Sequence, residues 1–129
     1  MKVNKPYLSF VRRLPCLVCY REFWKWYLGQ PREVRDELFG GMLETLSDHA
    51  GRIQTSPTEA AHLGLSTTRR GLKQKFPDTE AGPLCRGHHR ELGDSHHVIG
   101  AAFFEHHRIP RDEIISELQR IFAAGVAKE

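Results

Sequence analysis

Apolar residues return with a helical period in two stretches of the chain. Between Pro31 and Ser47, Val34, Leu38, Met42 and Leu46 recur every fourth position and share one helix face. Pro31 suits the first turn of that helix, and Gly40-Gly41 marks a break within it. Between Pro110 and Ala124, Ile114, Ile115, Leu118, Ile121 and Phe122 form a clean apolar stripe behind another leading proline. Val98 to His107 reads as a further helix, and His88 to Leu92 starts a short one that Gly93 closes. "AAHLGLS" has the look of a short strand running into a turn, and "EFWKWYLGQ" is an aromatic strip suited to packing on a core. Met1 to Tyr20 reads as a lead-in to the turn "LPCLVCY". "GRIQTSPTE" and "TTRRGLKQKFPDTEAG" read as loops, the second punctuated by Gly71, Pro77 and Gly82.

With no internal repeat or low-complexity tail, these elements predict one α+β domain over residues 1–129. Residues 22–56 form a helical insertion, and residues 98–125 a C-terminal helical cover. At 129 residues the chain can bury a modest core, small enough for a bound metal to help it fold. Hydrophobic residues at 40% and charged residues at 27% describe an ordinary globular chain. A net charge of +3 and a pI near 8.9 are compatible with a nucleic-acid partner without requiring one. No apolar run approaches membrane-spanning length, and "MKVNKPYLSF" lacks the core of a signal peptide. A cytoplasmic protein without a membrane partner is therefore expected.

The chemistry lies in the cysteines and histidines. Three cysteines cannot make a closed disulfide framework, and two of them are spaced as Cys16-Leu-Val-Cys19. Cys85-Arg-Gly-His88 repeats that spacing where the chain leaves a strand and enters a helix. Two such pairs converging in space make a tetrahedral Cys3His site for structural zinc. The competing readings are small buried residues or a redox pair. A redox pair would head a helix in a βαβ pattern, whereas here a proline precedes it and aromatics follow. His89, next to a zinc ligand, must project away from the zinc. His62, flanked by alanines and leucines, would on its own be read as a core histidine. Its significance depends on meeting His89.

The order of these features resembles the HNH endonucleases: Cys-x-x-Cys, then a histidine ending a strand, a basic loop, and Pro-Leu-Cys-x-x-His-His. Closer still, the chain looks like the phage and prophage HNH proteins of the "AH…PLC-x-x-HH-x-x-L" type, a group that includes relatives of the RecA-dependent nucleases. The resemblance covers roughly Leu14 to Ile109, leaving Glu22–Ser56 unmatched. It implies a zinc-stapled ββα-metal (His-Me) finger and cleavage of DNA phosphodiester bonds. Cys16, Cys19, Cys85 and His88 would hold the zinc, His62 would be the general base, and His89 would hold a catalytic Mg2+ or Mn2+. The residue before His62 is Ala61 where many HNH proteins have aspartate, and the position one turn past His89 is Gly93. His97, then His96, are expected to complete the ion's shell, ahead of Asp94 and Glu91. Arg69, Arg70, Lys73 and Lys75 would neutralise phosphates, as would Arg86 and Arg90 beside the ligands. Read without the resemblance, that basic run is an ordinary solvated loop. His49 and the pair His106-His107 are expected at the surface without chemistry, and Trp24, Trp26 and Tyr27 in the core rather than stacked on bases. The implied partners are DNA and a phage or host recombination or packaging protein. The alternatives are a non-catalytic zinc-binding domain that grips nucleic acid or protein, and a thiol redox protein using Cys16 and Cys19.

Overall fold

A computed structural model describes residues 4–39, 54, 56–68 and 75–125. The lead-in contains a helix that the sequence pattern did not announce, α1 (Lys5–Arg12). Asn4 caps it by accepting a hydrogen bond from the Tyr7 amide, and Pro6 sits in its first turn, where no amide donor is needed. The aromatic strip is a second helix, α2 (Arg21–Leu28). It buries Trp24 and Tyr27 and leaves Trp26 half exposed. A third helix, α3, occupies residues 32–39. Of its predicted stripe, Leu38 is half-buried and Val34 exposed, and Phe39 is the residue it buries most deeply. Met42, Leu46, the Gly40-Gly41 break and His49 lie outside the described residues.

Two short strands form an antiparallel sheet, β1 (Thr58–His62) and β2 (Ala81–Cys85), with Thr58 opposite Cys85 and His62 opposite Ala81. β2 includes Gly82, which was expected to break a loop. A Cβ there would fall 2.6 Å from a Leu63 methyl, so glycine lets the two segments close up. Just past β1, Gly64 has φ +78 and the Phe76 ring packs where a side chain would be, turning the chain away directly after His62.

Beyond β2, Gly87–Glu91 makes a single wide π-type turn in place of the expected short α-helix. The predicted helix over 98–107 is two pieces, α4 (His96–Ile99) and α5 (Ala102–His106), divided at Gly100 with φ +59. α6 (Arg111–Ala124) follows Pro110 as expected. It buries Ile114, Ile115, Leu118 and Ile121, while Phe122 packs at the edge of the core against Tyr7 and Phe10. Four buried aliphatic side chains at about 2 kcal/mol each make this stripe a principal source of cohesion.

Glu117 lies on the same helix and is also buried. It accepts hydrogen bonds from the Tyr27 hydroxyl, from Arg35 and from Arg120, and Arg120 reaches on to Asp36. Burial opposes its charge, yet these donors outweigh burial and hold its carboxyl below the usual range. One carboxylate thus ties α2 and α3 to α6.

The architecture among the described residues is a small α+β fold: a two-stranded sheet with helices packed around it. Among the described residues, no helix is long and apolar enough to cross a membrane.

Candidate metal centre and adjoining cleft

The turn after Pro15 brings the first two cysteines to the sheet. The Leu17 amide donates to the Pro83 carbonyl at 3.0 Å, docking the Cys16–Cys19 turn onto β2 two residues before Cys85. Buried Gln54 accepts from the Cys16 amide and donates to Ser56 and Thr58, and Thr58 donates to the Leu14 carbonyl. The wide turn at 87–91 then folds His88 back over Cys85.

Sγ of Cys16, Cys19 and Cys85 and Nδ1 of His88 therefore gather within 4.8 Å of one another. A tetrahedral zinc with bonds of ~2.3 Å to sulfur and ~2.05 Å to nitrogen separates two sulfurs by roughly 3.8 Å and sulfur from nitrogen by roughly 3.6 Å. Cys19 and Cys85 are 3.8 Å apart, and His88 Nδ1 lies 3.7, 3.5 and 3.2 Å from Cys16, Cys19 and Cys85. The donor set and its spacing fit a metal ion such as zinc.

Electrostatics agree with that fit. The Cys16 sulfur, and then burial, push the Cys85 thiol up to about 11, and contact with Cys19 raises Cys16 as well. Cys16 and Cys85 thus resist ionisation unless a cation compensates them, so metal uptake must displace protons.

His89 points away from this cluster, as its position beside a ligand required. It lines a cleft of about 530 Å3 together with His62, Lys75, His96, His97 and Arg111. His62 is the last residue of β1, and its Nε2 pairs with Asp78 Oδ1 at 2.7 Å. The Asn4 amide, donating to the other Asp78 oxygen at 2.8 Å, and then His62 hold the Asp78 carboxyl below its usual range. Because a carboxylate oxygen can only accept, Nε2 is the donor of this pair.

His89 has a carboxylate partner of its own, with Nδ1 2.8 Å from Glu59. Arg90 grips Glu59 with two hydrogen bonds, and Arg86 approaches it at 3.8 Å. Arg90 foremost, with His89 assisting, lowers the Glu59 carboxyl to about 2. Burial in turn pulls His89 below the ordinary imidazole range, and Glu59 offsets only part of that effect. The result is a neutral imidazole with Nδ1 engaged and Nε2 left for a metal, the arrangement in which a carboxylate orients a metal-binding histidine.

The predicted residues are thus partly brought together. His97 packs edge-on against His89, with ring centroids 4.6 Å apart, whereas His96 packs against Phe103 and Phe104. Among the described residues, the cleft histidines do not form a three-ligand group. Ala61 is fully buried and supplies no ligand, and Glu91 is exposed. Lys75 reaches the cleft wall, while Arg86 and Arg90 are engaged with Glu59. Arg69, Arg70 and Lys73 lie outside the described residues.

Sequence reasoning missed Glu59, Asp78 and Arg111. Asp78 was submerged in a run read as a basic loop. Glu59 could have been noticed as the acid three residues before the strand-ending histidine. Arg111, laid over the Phe104 ring at 4.4 Å, carried no local signal. His107, expected at the surface, is buried. A second hollow, of about 620 Å3 and lined by Leu17, Trp24, Leu28, Phe104 and Ile109, gathers no ligand set among the described residues.

Fold and site together define a small α+β protein carrying a Cys3His cluster able to hold a metal ion such as zinc, beside a histidine-lined cleft. Comparison with protein-family models, with curated proteins and with solved structures finds no match to this chain.

Proposed function

We propose that this protein is a DNA endonuclease of the HNH type, with a structural zinc in the Cys3His cluster and a divalent ion used in the cleft. In this reading β1, β2 and the 87–91 turn form the ββα-metal finger. The observation that carries it is the meeting of His62 and His89 in one cleft although they are distant in sequence, each backed by its own carboxylate.

Each residue then has a chemical task. Asp78 holds His62 with its Nε2 proton inward, so that Nδ1 takes a proton from the attacking water. Glu59 orients His89, and His97 beside it is the second residue positioned to hold the ion. Such an ion stabilises charge on the phosphate and on the leaving oxygen. Lys75 and Arg111 on the cleft wall suit the negative phosphate backbone, and Arg69, Arg70 and Lys73 add basic residues nearby in sequence. Two imidazoles form a softer donor set than Mg2+ prefers, which favours Mn2+ as the working ion.

Zinc-loaded protein should nick supercoiled plasmid in Mn2+, and His62→Ala should lower the rate by about 100-fold or more. Equal rates for the two proteins would overturn the assignment of the base. The second reading, a zinc-stapled domain that binds without cutting, draws on the lack of a three-ligand group in the cleft among the described residues. It is favoured if the zinc-loaded protein retains DNA and never cuts it.

A further inference from the structure

We propose that Asp94, His106 and His107 form a second divalent-metal site, separate from both the Cys3His cluster and the cleft, which takes a late first-row ion such as Zn2+. None of the three has a task in the proposed reaction. Asp94 lies in the turn after the 87–91 segment, His106 ends α5 and His107 caps it. Their ligand atoms nevertheless lie within 4.8 Å of one another.

The spacing matches a small tetrahedral ion. Bonds of ~2.05 Å to nitrogen and ~2.1 Å to oxygen separate the two donor atoms by roughly 3.4 Å. Asp94 Oδ2 lies 3.4 Å from His106 Nε2 and 3.6 Å from His107 Nε2. The Asp94 carbonyl oxygen lies 2.8 Å from His107 Nε2, closer than two donors of one tetrahedral ion, so water would fill the fourth position. In the metal-free protein that carbonyl accepts the Nε2 proton of His107.

Two imidazoles and one carboxylate favour zinc, cobalt or nickel over Mg2+ or Ca2+. His107 is buried between the Phe103, His106 and His88 rings, with centroids 4.5, 4.7 and 5.6 Å away, so its orientation is already set. The His106 and Asp94 side chains are 56% and 44% exposed, which leaves the site open to exchange with solvent.

An ion held here would tie the two ends of residues 94–107 together. That segment carries His96 and His97 into the cleft, so occupancy would limit how far they move. The inference needs no catalysis and stands apart from the nuclease reading.

The test is titration of the one-zinc protein with Zn2+, counting bound metal and following the imidazole nitrogens by NMR. A second equivalent should bind and shift the His106 and His107 nitrogens. His106→Ala, at an exposed position, and Asp94→Asn should each weaken that equivalent by about tenfold or more while the first is retained. The proposal is overturned if the wild type takes up no second equivalent, or if both variants bind it as the wild type does. It is equally overturned if His97→Ala abolishes the second equivalent, which would place the ion in the cleft.

Discussion

Replacing Cys85 with serine removes one sulfur from a cluster that joins the turn at 16–19 to the end of β2. Cys19 and Cys85 are 66 positions apart, so the metal closes a long loop. If that closure acts as a covalent link would, it restricts the unfolded chain by about 4 kcal/mol. A domain of ordinary stability has about 5–15 kcal/mol in total, so the loss removes a large share of it. At about 4 °C per kcal/mol for this chain length, the melting temperature should fall by roughly 15 °C. The serine also leaves buried surroundings shaped for a thiolate, and its hydroxyl does not ionise to replace it. Thermal melting followed by circular dichroism, with bound zinc measured on the same samples, reads both consequences. Chelator should bring the wild type down to the variant and leave the variant unchanged. A variant that keeps one zinc and melts with the wild type would refute the reasoning, because the cluster would then not be what joins these segments.

Glu59→Gln removes the charge that orients His89. The apparent affinity for Mn2+ in the nicking assay should weaken by about 10–100-fold, with the rate at saturating Mn2+ largely retained; a lower rate at all Mn2+ concentrations would assign Glu59 a different part. Because the folded protein holds Glu59 near 2, well under its ordinary 4.5, the stability this carboxylate adds is complete above about pH 4.5. It should disappear as the pH falls toward 2, and Glu59→Gln should flatten that limb of an acid-unfolding curve. Glu117→Leu leaves Arg35 and Arg120 facing an apolar side chain and should cost about 3 kcal/mol in urea unfolding. An unchanged midpoint would mean that α2 and α3 are held to α6 by apolar packing alone.

The metal cluster was legible in the sequence because its rule is local. Two ligands separated by two residues fold into a clamp wherever they fall, and the only long-range requirement is that the clamps meet. The stripe of α6 was legible for a similar reason, since its period is intrinsic to the helix. α1 was not, because "KPYLSFVR" is too short to establish a period, and its start depends on Asn4 capping a turn. Gly82 was misread as a loop breaker because its role in β2 is set by a Leu63 methyl that arrives from another segment.

The cleft divides along the same line. Its histidines could be singled out by type, but the partners that give them distinct tasks are set by tertiary structure. Asp78 reaches His62 only because Gly64 and the Phe76 ring reverse the chain, and Glu59 reaches His89 only because the 87–91 turn is wide. The same turn sends His88 to the sulfurs and His89 to the cleft, so one irregular turn couples the structural cluster to the proposed chemistry. Loss of the metal from the cluster should therefore displace His89 as well. Activity should fall with bound zinc even where Mn2+ is saturating, and a zinc-free protein that still cuts at the wild-type rate would separate the two sites that this turn joins.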